Sequence, residues 1–184
     1  MEFPHHIVKT ITDHANVLYN LAQSAGAIVT LLTVTMYILG LVFAFKAIYT
    51  LKVYGEARTM MSSNASVKEP IVYLIIAAVF IYAHSGYEMF MSSIFGYTSP
   101  LAYESLDTAH ASVFSGAAGR PLTVIMQVIG LSAFIRGFVM LGRASGQGQQ
   151  PGGSGKGLMH IFGGILAMNI IGTINMIKET LYGT

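Results

Sequence analysis

Residues 25–45 read Ala25-Gly-Ala-Ile-Val-Thr-Leu-Leu-Thr-Val-Thr-Met-Tyr-Ile-Leu-Gly-Leu-Val-Phe-Ala-Phe45. None of these 21 residues carries a formal charge. As an α-helix they extend about 31 Å, enough to cross a bilayer. No Asp, Glu, Lys or Arg lies between Asp13 and Lys46. The whole chain has the same character. Its 184 residues include 10 Lys and Arg, 8 Asp and Glu, and 53% hydrophobic residues. Charged residues make up 10%, where a soluble domain carries about 25%. Mean hydropathy is +0.60. That excludes an ordinary soluble domain, a disordered tail and a nucleic-acid module, so no direct nucleic-acid binding is expected. The formal net charge of +2 implies no polyanionic partner. With no cysteine there can be no disulfide, thiolate zinc site or cysteine nucleophile.

Three further stretches have membrane character. Span 2 follows Pro70: Ile71 to Ala83 is apolar, and a crossing length ends near Met91 if His84 and Glu88 lie at the far interface. Span 3 covers 121–141 and contains Arg136; span 4 covers 157–177 and has no formal charge. Ile7, Ile11, Val17, Leu18 and Leu21 recur near helical spacing, which predicts an amphipathic interfacial helix over 5–23. The expected fold is an all-α membrane protein in one integral domain, 1–184. It has four transmembrane helices as two tandem hairpins, 25–91 and 121–178, joined by an external segment at 92–120 that caps the bundle or docks a partner. Six of the fourteen residues in 144–157 are glycine, which predicts a flexible loop over 144–156. Its Gly155-Lys156 is not a phosphate-binding loop, because Gln150 and Gly157 stand where that motif needs Gly and Ser or Thr.

Basic residues set the orientation. Lys46, Lys52, Arg58, Lys68, Arg136, Arg143 and Lys156 fall on one side; Lys9, Arg120 and Lys178 fall on the other. The richer side is expected in the cytoplasm, with both termini outside, which in a bacterial inner membrane means the periplasm.

An internal repeat underlies the two hairpins. Leu32-Thr-Val-Thr-Met-Tyr-Ile-Leu-Gly-Leu41 aligns with Leu122-Thr-Val-Ile-Met-Gln-Val-Ile-Gly-Leu131 at an offset of 90, with six of ten positions identical. Lys46 then matches Arg136. At an offset of 86, Ala77-Ala78 meets Gly163-Gly164. Two intervening spans give both copies the same orientation, as expected of a parallel repeat.

Few residues suit chemistry. His84 and Glu88 share a helix face, but their place near the outer interface makes solvation the simpler role. With Lys46 and Arg136, whose stems can lie along lipid while the charges reach headgroups, they form the expected lipid and interface set. No metal ligand set and no catalytic triad has suitable spacing, so no enzyme activity, cofactor or metal is expected. Small residues four apart predict helix packing at Gly40/Ala44, Ala133/Gly137 and Gly163/Ala167. Gln127 and Asn169 lie at similar depths on adjacent antiparallel spans, which predicts a hydrogen bond between their amides.

Residues 154–169 read Ser-Gly-Lys-Gly-Leu-Met-His-Ile-Phe-Gly-Gly-Ile-Leu-Ala-Met-Asn. The pattern Gly155-Lys156, His160, Gly163-Gly164, Asn169 resembles the small inner-membrane proteins of type IVB secretion and conjugation systems. That group includes the TraQ-like transfer proteins and the IcmC/DotE, DotV and IcmD proteins. The order of helices is also similar to conjugative pilins, although those have one hairpin. The resemblance implies a non-catalytic inner-membrane structural subunit, with a pilus- or channel-forming variant by helix packing, in homo- or hetero-oligomers with other secretion or conjugation subunits and with membrane lipid. The alternative is a small oligomeric transporter or channel built from a duplicated hairpin. A membrane enzyme using His84, Glu88 or His160 ranks last.

Overall fold

The computed structural model describes residues 5–60, 66–82, 89, 92–96, 119–146 and 152–183. Among these the regular structure is entirely helical. Helix α1 spans His5–Thr59, α2 Lys68–Ile81, α3 Gly119–Ser145, α4 Gly153–Met168 and α5 Ile170–Tyr182. A single further turn covers 92–95. Two stretches, Ser24–Thr59 and Leu122–Ser145, are long and apolar enough to cross a membrane. A third crossing is made if α4 and α5, which meet at 93°, count as one broken span.

The helix ends differ from expectation at four places. The 5–23 helix is not separate from span 1: α1 runs unbroken for 55 residues. No proline interrupts it after Pro4, and Gly26 stays helical, so nothing in the local chemistry forces a hinge. Helix α2 starts with Pro70 in its first turn, a position where proline's missing N–H costs nothing. It stops at Ile81, so it covers 11 residues of the second expected span, 71–81, about 16 Å. The stretch carrying His84 and Glu88 lies outside the described residues. The glycine-rich loop is shorter than 144–156, because α3 continues through Ser145 and α4 already begins at Gly153. Gly152, at φ 86°, makes the left-handed entry to α4 that a side chain would oppose. Span 4 is broken at Asn169.

Helices α1 and α2 pair antiparallel, as do α3 and α4, and α3 sits against α1, α2 and α4. The α1 seam is Met36, Gly40, Phe43 and Ala47, at the heptad spacing that keeps one stripe facing a partner. Phe43 meets Tyr73 and Phe80 at ring-centroid distances of 5.8 and 6.2 Å. Phe80 meets Phe138 at 5.6 Å, and Phe138 meets Phe134 at 4.9 Å. Most are tilted edge contacts, the arrangement that aromatic quadrupoles favour. They carry one continuous core from α1 through α2 to α3. On the opposite face of α1, Leu31, Phe45 and Ile48 are exposed. An outward apolar face suits lipid rather than water.

Helices α3 and α4 touch by backbone. A Cβ on Gly130 would stand 2.5 Å from the Met168 nitrogen and 2.7 Å from the Gly164 oxygen. A Cβ on Gly137 would stand 2.8 Å from the Gly157 oxygen, and one on Gly164 would stand 2.7 Å from both the Gly130 oxygen and the Phe134 nitrogen. Both partners in each clash are helical backbone, which has little room to yield. Gly164→Ala is therefore expected to destabilise the folded chain by roughly 1–3 kcal/mol, the scale of overpacking. Gly163→Ala, where a Cβ meets nothing within 4 Å, is expected to be neutral or stabilising by about 0.5–1 kcal/mol through helix propensity. Unfolding of both variants in detergent checks this; equal losses would remove the backbone contact as the cause.

Candidate functional site

The distinctive feature of the fold is the α3–α4–α5 corner, built from two spacings. The first is the seven-residue spacing of glycines, Gly130 and Gly137 on α3 against Gly157 and Gly164 on α4. The second is Asn169, which ends α4 and starts α5 with φ −118° and ψ 61°. Its Oδ1 accepts from the Gly172 N–H at 3.1 Å, the N-cap bond for which asparagine is a preferred residue. Its own N–H donates to the Ile165 carbonyl at 3.3 Å. Thr173 ties both sides of the break: its hydroxyl lies 2.8 Å from the Leu166 oxygen and 2.8 Å from the Asn169 oxygen. Thr123, Asn169 and Thr173 are all buried.

The expected small-residue pairs divide. Gly40 lies in a helix crossing, where a Cβ would stand 3.0 Å from Ile81 and Phe80. Gly137 lies in the α3–α4 seam, and the Ala167 backbone faces Gly130. Ala44 is half-buried against the core. Ala133 is half-buried, one position round from Phe134. Gly163 faces out, and its place in the seam is taken by Gly164. Neighbouring residues on a helix differ by about 100° in direction, so a shift of one position moves the contact to another face. The four-residue rule missed Gly130, Gly157 and Gly164. A search for glycines seven apart finds them.

The amide pair is corrected. Gln127 Nε2 is buried and has no hydrogen-bond partner among the described residues, while Asn169 Oδ1 is engaged by Gly172. The expectation assumed a straight helix through Asn169, leaving its amide looking for a side-chain partner. The break turns that carbonyl oxygen back onto the main chain instead.

Lys46 and Arg136, matched by the repeat, sit in different settings. The exposed Lys46 ammonium lies 4.4 Å from the centre of the Tyr73 ring. The Tyr73 hydroxyl donates to Glu69 Oε1 at 3.0 Å. A Cβ on Gly146 would stand 3.1 Å from that hydroxyl. Lys46, Glu69, Tyr73 and Gly146 thus mark one level of the bundle. Arg136 lies ten residues before Gly146 on the same helix line, about 15 Å away. It is exposed, on the same face as Ser132 and Arg143. The half-buried His160 has Nδ1 2.8 Å from the Lys156 carbonyl oxygen, so that nitrogen holds the proton and the ring is tied to its own helix. Among the described residues no three His, Asp or Glu side chains converge to hold a metal ion.

Comparison with protein-family models, with curated proteins and with solved structures found no match.

Two outcomes test the corner. Asn169→Ala should lower stability by about 1 kcal/mol through loss of the cap, and Asn169→Ser, a neutral cap residue, should recover part of it. Gln127→Met should be neutral or stabilising by up to about 1 kcal/mol, because it removes a buried donor that has no partner. In a double-mutant cycle with Gln127→Leu and Asn169→Leu, the losses should add. A coupling above about 0.6 kcal/mol would restore the amide pair.

Proposed function

We propose that this chain is a non-catalytic, multi-pass structural subunit of a type IVB secretion or conjugative transfer apparatus, assembled by helix packing in a bacterial inner membrane. The observation that carries the reading is how the resembling motif is divided on α4. Gly164 is used inside the fold, against Gly130 and Phe134, and Asn169 caps α5. Gly155 and Gly163 face outward, eight residues apart, with nothing within 4 Å of a Cβ at either. Lys156 is also exposed. Neither glycine is needed for close approach among the described residues. Small residues that face outward from a membrane helix let a second helix come close. Half of the motif thus serves the fold, and half remains for another subunit.

Two hairpins with four spans fit this reading. Gly40 and Gly130, equivalent in the repeat, each lie where the helices of their own hairpin cross, which supports duplication. The excess of basic residues at the α1–α2 and α3–α4 loops supports a cytoplasmic position for both loops and periplasmic termini. The alternative, a small transporter or channel, draws on the buried Gln127 Nε2 without a partner, a group that a hydrated path would satisfy. Flux through liposomes that is lost in Gln127→Leu would favour it.

In cells carrying the apparatus, Gly155→Leu and Gly163→Leu should leave the monomer's detergent stability within about 0.5 kcal/mol, as exposed substitutions do. The same variants should abolish transfer and co-isolation with the complex. Normal transfer in both would remove α4 as the assembly face. For topology, a cysteine at Ser145 should resist an impermeant thiol reagent in intact cells, and one at Ser105 should react. The reverse pattern would invert the orientation.

A further inference from the structure

Helix α5 leaves α4 at 93°, and its sequence divides into faces. Ile170, Ile174, Ile177 and Leu181 recur at positions i, i+4, i+7 and i+11, one stripe of a helix. Asn175 and Glu179 lie on the far side. Ile170 and Ile174 are half-buried, whereas Ile177 and Leu181 are 49% and 70% exposed. The apolar stripe therefore runs outward, and among the described residues nothing covers its outer half.

The register of the bundle says what covers it. Gly137 faces Gly157 and Gly130 faces Gly164. Continued five residues, this pairing puts Asn169 level with Ile125 of α3. The other end of the hairpin is where Gly153 stands against Ala144. From Gly153 to Asn169, α4 rises over 16 residues, about 24 Å. That is most of a bilayer's hydrocarbon core, about 30 Å. A right-angle turn at that depth lays the next helix close to the membrane plane, toward the far boundary. Lys178 follows Ile177 at the edge of the stripe, where its stem can lie on the apolar surface and its ammonium can reach lipid phosphates.

We propose that α5 is an in-plane anchor, embedded by its Ile170–Ile174–Ile177–Leu181 stripe in the headgroup boundary of the leaflet where α4 ends. It is neither the second half of a span nor an aqueous extension. The proposal requires a membrane-embedded α3–α4 hairpin and is independent of the secretion reading.

The chain contains no cysteine, so single cysteines along α5 take a spin label at one place only. The experiment reconstitutes the full chain in vesicles of phosphatidylethanolamine and phosphatidylglycerol. It measures collisions with oxygen, which concentrates in lipid, and with a water-soluble nickel chelate. Labels at 177 and 181 should favour oxygen and report the same shallow depth, while labels at 175 and 179 should favour the chelate. All four sites are exposed, so labelling removes no core packing. Depth that increases steadily from 175 to 181 would overturn the proposal in favour of a broken span. Chelate access at all four sites would overturn it in favour of an aqueous helix. Protection of 177 and 181 from both reagents would overturn it in favour of a second copy seated on the stripe.

Discussion

The close backbone approach of α3 and α4 is the constraint on which the arrangement rests. In hydrocarbon two helices gain little by hiding apolar side chains, since lipid is as apolar as leucine. What holds them is close contact over their length, and Gly130, Gly137, Gly157 and Gly164 allow it. The same contact fixes the register of the hairpin to the residue. Register in turn puts Phe138 against Phe80 and so joins the second hairpin to the first. A larger residue at any of the four glycines would separate the helices and disturb the aromatic contacts as well.

Much of this fold was legible in the chain, and the failures share a cause. Composition and uninterrupted apolar length located the two long spanning stretches, because crossing a bilayer is a requirement on a window of residues rather than on any one of them. The packing residues were harder. A four-residue pattern is satisfied by Gly163/Ala167, but in the structure Gly164 faces α3 and Gly163 faces away. Apolar sequence alone cannot tell these neighbours apart, because in a membrane helix the outward face is as hydrophobic as the inward one. Asn169 was recognised as costly, but its role was misread. Asparagine in an apolar run can pair across helices or cap a break, and the choice depends on whether the following helix turns. Gly172 and Thr173, which engage the cap here, were the local signal that favoured a break.

The repeat in sequence does not carry over into equal depth. Lys46 lies at the level of Tyr73 and Gly146, while Arg136, its counterpart, lies about 15 Å further along α3. Both glycines that mark the repeat, Gly40 and Gly130, still sit at the crossing of their own hairpins. Close pairing is thus present in both α1–α2 and α3–α4, while Lys46 and Arg136 stand at different levels. The α3–α4 contact is set by backbone approach, which tolerates no shift. The contacts of α1 with α2 and of α2 with α3 run through aromatic rings, which can meet at several axial positions. The displaced Arg136, exposed on an apolar helix, then needs either a lipid headgroup drawn inward or another polar surface to meet it.

The break at Asn169 has to be reconciled with lipid, where a backbone group without a partner costs several kcal/mol. Interrupting a helix frees carbonyls on one side and N–H groups on the other. Here Asn169 Oδ1 takes the Gly172 N–H, and Asn169's own carbonyl accepts from the Thr173 N–H at 2.9 Å. The Thr173 hydroxyl reaches back seven residues to the Leu166 carbonyl, which the break would otherwise leave exposed. The turn is also buried against α3, with Thr123, Asn169 and Thr173 all largely hidden. Two short polar side chains therefore re-satisfy main-chain groups that a continuous helix would have satisfied without them. They do so within the length of one crossing, which lets the chain change direction by 93° without exposing bare backbone. In a straight helix Thr173 could still bond the Asn169 carbonyl four residues back, as Thr30 and Thr33 do in α1, but Asn169 would lose its bond to the Gly172 N–H.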